Sequence, residues 1–184
     1  RIQRLFDLRG GIDGVPTGFA DLDALLTGLH GGELVIVGAR PSMGKTSFGL
    51  NGLSQAAKKQ KTVAMFSLEM PNDQLAMRLL CADAQVDMQA VRRGTLRDDD
   101  WIKLSNALGP LGASNIYIDD TSGITPSQLR SRCRRLMMDR GLDMVVVDYL
   151  QLMSSDGRAE NRKNEVSEIS RALKGSAKEV NVPL

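Results

Sequence analysis

Short apolar runs alternate with stretches whose apolar residues recur at helical spacing, and that alternation predicts strands and helices taking turns along the chain. The run at Glu33–Val37 reads as a first strand, and residues 45–59 suit a helix that starts just beyond the following turn. Thr62–Ser67 reads as a second strand ending near Glu69. Pro71-Asn72-Asp73 then reads as a turn and helix start, with Leu75, Leu79 and Leu80 on one face. Asn115–Asp120 alternates toward a third strand. Thr125-Pro126-Ser127-Gln128 has the form of a capping box with proline at the first helical position, opening a helix that runs to about Arg140. Asp143–Asp148 is a fourth strand, and Val166, Ile169, Leu173, Ala177 and Val180 define the inner face of a last helix.

The remaining segments carry weaker patterns. Leu22, Leu25, Leu26 and Leu29 recur at i, i+3, i+4 and i+7, predicting a short helix that Gly31-Gly32 ends. Residues 86–113 hold further short helical segments without an evident arrangement. Residues 153–164 are polar, charged and without periodicity, which predicts a mobile loop. Ile2, Leu5, Phe6 and Leu8 sit among arginines and are set apart by Gly10-Gly11. Residues 1–13 are therefore read as an inter-domain linker segment and 14–184 as one folded core. The linker's apolar stripe is suited either to docking on a neighbour or to local packing at a frayed end. Strands alternating with helices give an α/β fold with a doubly wound, mostly parallel sheet and flanking helices. Val182-Pro183-Leu184 has the form of a strand just beginning, so further strands are expected beyond it.

Composition narrows the picture modestly. With 184 residues and 42% hydrophobic content the chain can bury a full core as one globular domain. A net charge of +2 and a pI near 8.7 are compatible with nucleic acid but do not point to it. Cys81 and Cys133 fall in helix-like segments without metal-ligand spacing, as expected of reduced thiols in a cytoplasmic protein. His30 is the single histidine, which argues against a Ser-His-Asp triad or a histidine-rich metal site and leaves it as a turn residue. No apolar run reaches the ~18 residues of a membrane span, so no membrane association is expected.

The chemistry begins right after the first apolar run. Ala39-Arg40-Pro41-Ser42-Met43-Gly44-Lys45-Thr46 lies between a strand and a helix, the context of a phosphate-binding loop. Such a loop needs a glycine where backbone approaches phosphate, a lysine that reaches the terminal phosphates and a hydroxyl beside it for Mg²⁺. Gly44, Lys45 and Thr46 fill those positions, while the pattern's usual first glycine is replaced by the small residue Ala39. Ala39, Arg40, Pro41, Ser42, Met43, Gly44, Lys45, Thr46 and Ser47 are thus candidate contacts for ATP or ADP. A second signal is Asp148, a carboxylate at the end of a β-prone apolar run. In open α/β sheets ligands bind at that edge, so Asp148 joins Thr46 as a candidate for holding Mg²⁺ and its water shell. Glu69, ending the second strand, is suited either to polarising an attacking water or to starting a helix. Gln151 has two open roles, hydrogen bonding near the phosphate or packing against the loop.

Taken in order, Gly14-Val15-Pro16-Thr17-Gly18-Phe19, Leu22-Asp23, the loop Ala39–Thr46, Ser67-Leu68-Glu69-Met70-Pro71 and Asp148-Tyr149-Leu150-Gln151-Leu152-Met153 closely resemble the bacterial replicative DNA helicase family in its C-terminal RecA-like motor domain. Ile116–Asp120, Arg130-Ser131-Arg132 and Glu168-Ile169-Ser170-Arg171 extend the likeness over nearly all of the chain past residue 12. The resemblance implies a RecA-like P-loop NTPase that assembles into a ring, usually a hexamer, hydrolyses ATP, moves along single-stranded DNA and separates the duplex. It implies Lys45 at the terminal phosphates, Thr46 at Mg²⁺, Asp148 at the metal's water shell and Glu69 as the catalytic glutamate. Primase and a helicase loader are the implied partners. The family's phosphate-sensing strand, its arginine acting on a neighbour's nucleotide and its DNA-gripping loops are expected beyond Leu184, so this piece alone is expected to bind nucleotide and hydrolyse it feebly.

Arg130, Arg132, Arg134 and Arg135 crowd one helix and read chiefly as a solvated face. Arg158, Arg162 and Lys163 in the polar loop are the better candidates for DNA phosphates. Two other functions fit the loop and strand pattern: a recombination or repair ATPase of RecA type, and a nucleotide-gated assembly module without strand separation.

Overall fold

A computed structural model describes residues 11–155 and 162–184. The elements follow one another as α1 (Ala20–Leu26), α2 (Lys45–Lys58), β1 (Val63–Ser67), α3 (Asn72–Ala84), α4 (Met88–Arg93), α5 (Asp98–Gly112), β2 (Ile116–Asp119), α6 (Pro126–Arg140), β3 (Met144–Asp148) and α7 (Arg162–Val180). The strands pair in parallel in the order β2-β1-β3, with Val63 opposite both Ile116 and Met144 and Ser67 opposite Asp148.

β1 is buried at every position, as a central parallel strand must be when helices cover both of its faces. Alternation of side chains then divides the core in two. Val63 and Met65 pack with Leu50 and Leu53 of α2 and Leu75 and Leu79 of α3. Ala64 and Phe66 face the other way, toward Leu129 and Cys133 of α6 and Ile169 and Leu173 of α7. Each fully buried leucine contributes about 1.5–3 kcal/mol, so these two layers hold the sheet edge where β1 and β3 end.

Local signals set most boundaries. Thr125 Oγ1 accepts from the Gln128 N–H at 3.4 Å and Gln128 Oε1 accepts from the Thr125 N–H at 3.1 Å, closing the capping box that starts α6. Residues 86–113, without an arrangement in the sequence pattern, form α4 and α5. Cys81 and Ala84 of α3 pack with Leu104 and Ala107 of α5 in a small core of their own.

Three expectations differ from what is observed. Glu33–Val37 is not a strand: among the described residues its backbone meets the chain's final segment through Val35 N–H to Leu184 O and Leu184 N–H to Glu33 O, with Gly32 N–H to Val182 O just before it, too few bonds for a ladder. Val35, Ile36 and Val37 are accordingly exposed. The leucine-spaced helix ends at Leu26, where Thr27 adopts a left-handed conformation. Leu25 and Leu26 face solvent, and Leu29 instead forms an antiparallel bridge with Val15. Finally, the loop predicted for 153–164 is ordered at both ends: Met153 is buried in the core, and α7 already begins at Arg162.

Arg130 and Arg134 pair with Glu179 of α7, and Arg132 bonds Asp119 and Thr121, which matches a solvated face laced with ion pairs. Ile2, Leu5, Phe6 and Arg158, together with the side chains of Arg162 and Lys163, lie outside what is described. Among the described residues no helix is long and apolar enough to cross a membrane.

Candidate nucleotide-binding site

The site assembles at the C-terminal edge of the sheet from three chain segments. The first is the turn ahead of α2, where the Met43 N–H donates to Arg40 O at 3.3 Å and Gly44, at φ 91°, is the residue preceding the helix. A Cβ at Gly44 would meet nothing within 4 Å, so glycine is required there for its backbone conformation and not for space. Ala39, Arg40, Pro41, Ser42, Met43, Gly44 and Ser47 are all exposed around the start of α2, whose free N–H groups are suited to an anion.

The second segment is the end of β3. Its register sets Asp148 beside the end of β1, and the Leu68 N–H continues the pairing to Asp148 O at 2.7 Å. Asp148 is buried, 4% exposed, and both of its carboxylate oxygens are engaged by the loop. Lys45 Nζ lies 2.9 Å from Oδ1, and the Thr46 hydroxyl donates to Oδ2 at 2.6 Å. Lys45 Nζ also sits 3.8 Å from the centre of the Tyr149 ring, and the Asp148–Tyr149 peptide is cis. Residues about a hundred positions apart in sequence, with no local signal linking them, thus meet on one carboxylate.

The third segment follows β1. The Ser67 hydroxyl donates to Met70 O at 2.7 Å and accepts from the Met70 N–H at 3.2 Å, folding Leu68-Glu69 into a bend. Glu69 is exposed on that bend, at the same sheet edge as Asp148. Gln151 lies in a single 3₁₀ turn, Leu150–Leu152, and is exposed.

A further set of residues supports the loop from behind. Asp23, 5% exposed, accepts from the Thr17 N–H at 2.8 Å, the Thr17 hydroxyl at 2.7 Å and the Gly18 N–H at 3.0 Å. That holds Phe19 in place, whose ring stacks on Phe48 of α2 with centroids 4.8 Å apart. Gly18 has φ 84°, and a Cβ there would fall 2.2 Å from Gln55 Cγ. The Thr17–Asp23 spacing is visible in the sequence, but nothing in it says that Asp23 turns inward; the Tyr149 contact has no sequence signal at all.

Thr46 and Asp148 offer hard oxygen donors side by side, a set that fits Mg²⁺ completed by water and phosphate oxygens. Among the described residues no group of three His, Cys, Asp or Glu is placed to hold a metal by itself.

A parallel sheet wound on both faces, with a phosphate loop at its C-terminal edge and a strand-end aspartate facing that loop's lysine and threonine, is the organisation of RecA-like P-loop ATPase domains. Solved structures agree. One, described as an ATPase domain, superposes with a TM-score of 0.93 at 34% identity, covering 99% of this chain and 66% of that one. "The Structure Of A DnaB-Like Replicative Helicase And Its Interactions With Primase" superposes at 0.92 and 34% identity, covering 99% and 44%. Residues 14–184 match the DnaB-like helicase C terminal domain, and the chain belongs to that family. It is 50% identical to the replicative DNA helicase DnaC of Bacillus subtilis (strain 168) over 185 aligned positions, and likewise 50% identical to the replicative DNA helicase DnaB of Geobacillus stearothermophilus. The alignments cover all of this chain and 41% of each relative, so the chain spans less than half the length of these proteins.

Proposed function

We propose that this chain is the ATP-binding and hydrolysing part of a replicative DNA helicase, a cytoplasmic motor that moves on single-stranded DNA. The observation that carries the proposal is the convergence of Lys45 and Thr46 on Asp148 at the sheet edge beside the phosphate loop. The loop backbone and the start of α2 would cradle the phosphates of ATP or ADP, with Lys45 neutralising the terminal ones. Thr46 and Asp148 would hold Mg²⁺, which when bound supplies positive charge against the developing negative charge of the phosphoryl group. Glu69 is exposed at the same edge with a free path toward water, as a residue that orients an attacking water must be. Gln151, just past Asp148, is a candidate hydrogen-bond donor to the phosphates.

Self-assembly into a hexameric ring, single-stranded DNA as track, and primase and a loader as partners are further parts of the proposal, supported by the relatives' names and by the primase in one structural neighbour's description. The test is ATP hydrolysis with and without single-stranded DNA, and opening of a forked duplex, by a chain carrying this domain at the full length of its relatives. DNA should stimulate hydrolysis and the fork should open. ATP turnover indifferent to DNA, with no opening, would favour a nucleotide-gated assembly module instead.

A further inference from the structure

Among the described residues two groups are recorded against the Lys45 ammonium, Asp148 and the Tyr149 ring, and only the first belongs to the metal-and-phosphate chemistry already assigned. Asp148 Oδ1 takes one of its hydrogens at 2.9 Å, and the face of Tyr149 lies 3.8 Å away. A lysine has four side-chain torsions and loses more rotamer freedom than most residues when it is held in one pose. The Lys45 side chain is 30% exposed, so solvent alone would leave it free to wander. A carboxylate fixes where the charge is but constrains its direction weakly. An aromatic face attracts the cation through the ring's quadrupole and closes one flank of it to water. Together the two groups hold the ammonium from the β3 side and leave its remaining hydrogens for a ligand at the phosphate loop.

We propose that Tyr149 is a positioning residue for nucleotide binding: its ring face sets the pose of Lys45, so that the ammonium meets the terminal phosphates without first being ordered. The proposal rests on the nucleotide assignment above. Tyr149 is half-buried at the sheet edge directly after Asp148, and its own backbone carbonyl caps the following 3₁₀ turn by accepting from the Leu152 N–H at 2.9 Å. The ring therefore sits on a backbone that is itself tied down, as a positioning group requires.

The experiment measures Mg-ADP binding to the 184-residue chain by calorimetry, with thermal melting to verify folding. Tyr149→Leu should weaken binding about threefold to tenfold, the range for a cation over an aromatic face at a partly exposed site. Tyr149→Phe, which keeps the face and loses the hydroxyl, should bind within about twofold of wild type. Fluorinated phenylalanines at position 149 preserve shape while draining charge from the ring face, and affinity should fall stepwise with each fluorine. Flat affinity across that series or tighter binding by Tyr149→Leu would overturn the proposal. If Lys45→Met itself left Mg-ADP affinity unchanged, the nucleotide assignment would fail instead, so the two failures are distinguishable.

Discussion

Asp23→Ala removes a buried acceptor that stands two contacts away from the phosphate loop, and its cost is open to calculation. Three donors converge on this carboxylate: the Thr17 N–H and hydroxyl at 2.8 and 2.7 Å and the Gly18 N–H at 3.0 Å. A hydrogen bond to a charged acceptor contributes about 1.5–3 kcal/mol net. Thr17 is 4% exposed, so its two donors find no water when the carboxylate is gone, whereas Gly18 is exposed and recovers most of its loss from solvent. Two bonds at the lower end give about 3 kcal/mol, and relief of the carboxylate's own desolvation works in the opposite direction. The net destabilisation should be about 2–3 kcal/mol, which lowers a urea midpoint by roughly 1 M at a slope near 2 kcal/mol/M. Asp23→Asn should fall in between, since its carbonyl still serves Thr17 while its amide faces the Gly18 N–H donor to donor. Because Phe19 rests on Phe48 of α2, the alanine variant should also lose Mg-ADP affinity below its melting transition. A midpoint shift under ~0.2 M for Asp23→Ala would refute the reasoning, since that shift corresponds to less than about 0.5 kcal/mol.

Further outcomes are expected. Glu69→Gln in the full-length context should retain nucleotide binding and slow single-turnover hydrolysis by at least ~10²-fold, the loss typical of a positioned base; hydrolysis near the wild-type rate would assign Glu69 a structural role. Leu53→Ala, at a fully buried position of α2, should cost about 2–5 kcal/mol in chemical denaturation. Burial pushes the Cys133 thiol up to about 12, with Asp119 adding to the effect. Its contribution to stability is therefore complete below about pH 9 and lost as pH rises toward 12, and Cys133 should resist iodoacetamide at pH 8 in the folded chain while labelling readily in denaturant. Burial raises the Asp119 carboxyl, but the bonds from Arg132 and Thr121 outweigh it and hold the group below its ordinary value of 3.8. That stability is present above the ordinary value and lost as pH falls beneath it, so Arg132→Leu should raise the midpoint of acid unfolding, and an unchanged midpoint would count against the pair.

Legibility in the sequence followed the range of the forces involved. The central strands, the helix at the phosphate loop and the capping box at Thr125 rest on contiguous patterns, and all three stand where periodicity and turn chemistry put them. The strand expected at Glu33–Val37 depends on a partner some 150 residues away that bonds it only at Gly32, Glu33 and Val35, a circumstance no local window contains. Spacing misled at Leu25 and Leu26 because a helix of seven residues lets its buried face be chosen by one carboxylate, Asp23. Met153 was hidden among polar neighbours, although its own burial anchors the chain after Asp148. At the candidate site, Lys45, Thr46 and Asp148 were legible because each ends or begins a regular element. The ring of Tyr149 was not, since side-chain direction after a strand end is set by the tertiary fold.

Calorimetric titration of Mg-ADP into wild type and Lys45→Ala tests the central assignment most directly. The wild-type chain should bind one nucleotide and Lys45→Ala should give no measurable heat of binding while melting at a temperature close to wild type. Equal affinity in the two proteins would contradict the placement of the nucleotide at this loop.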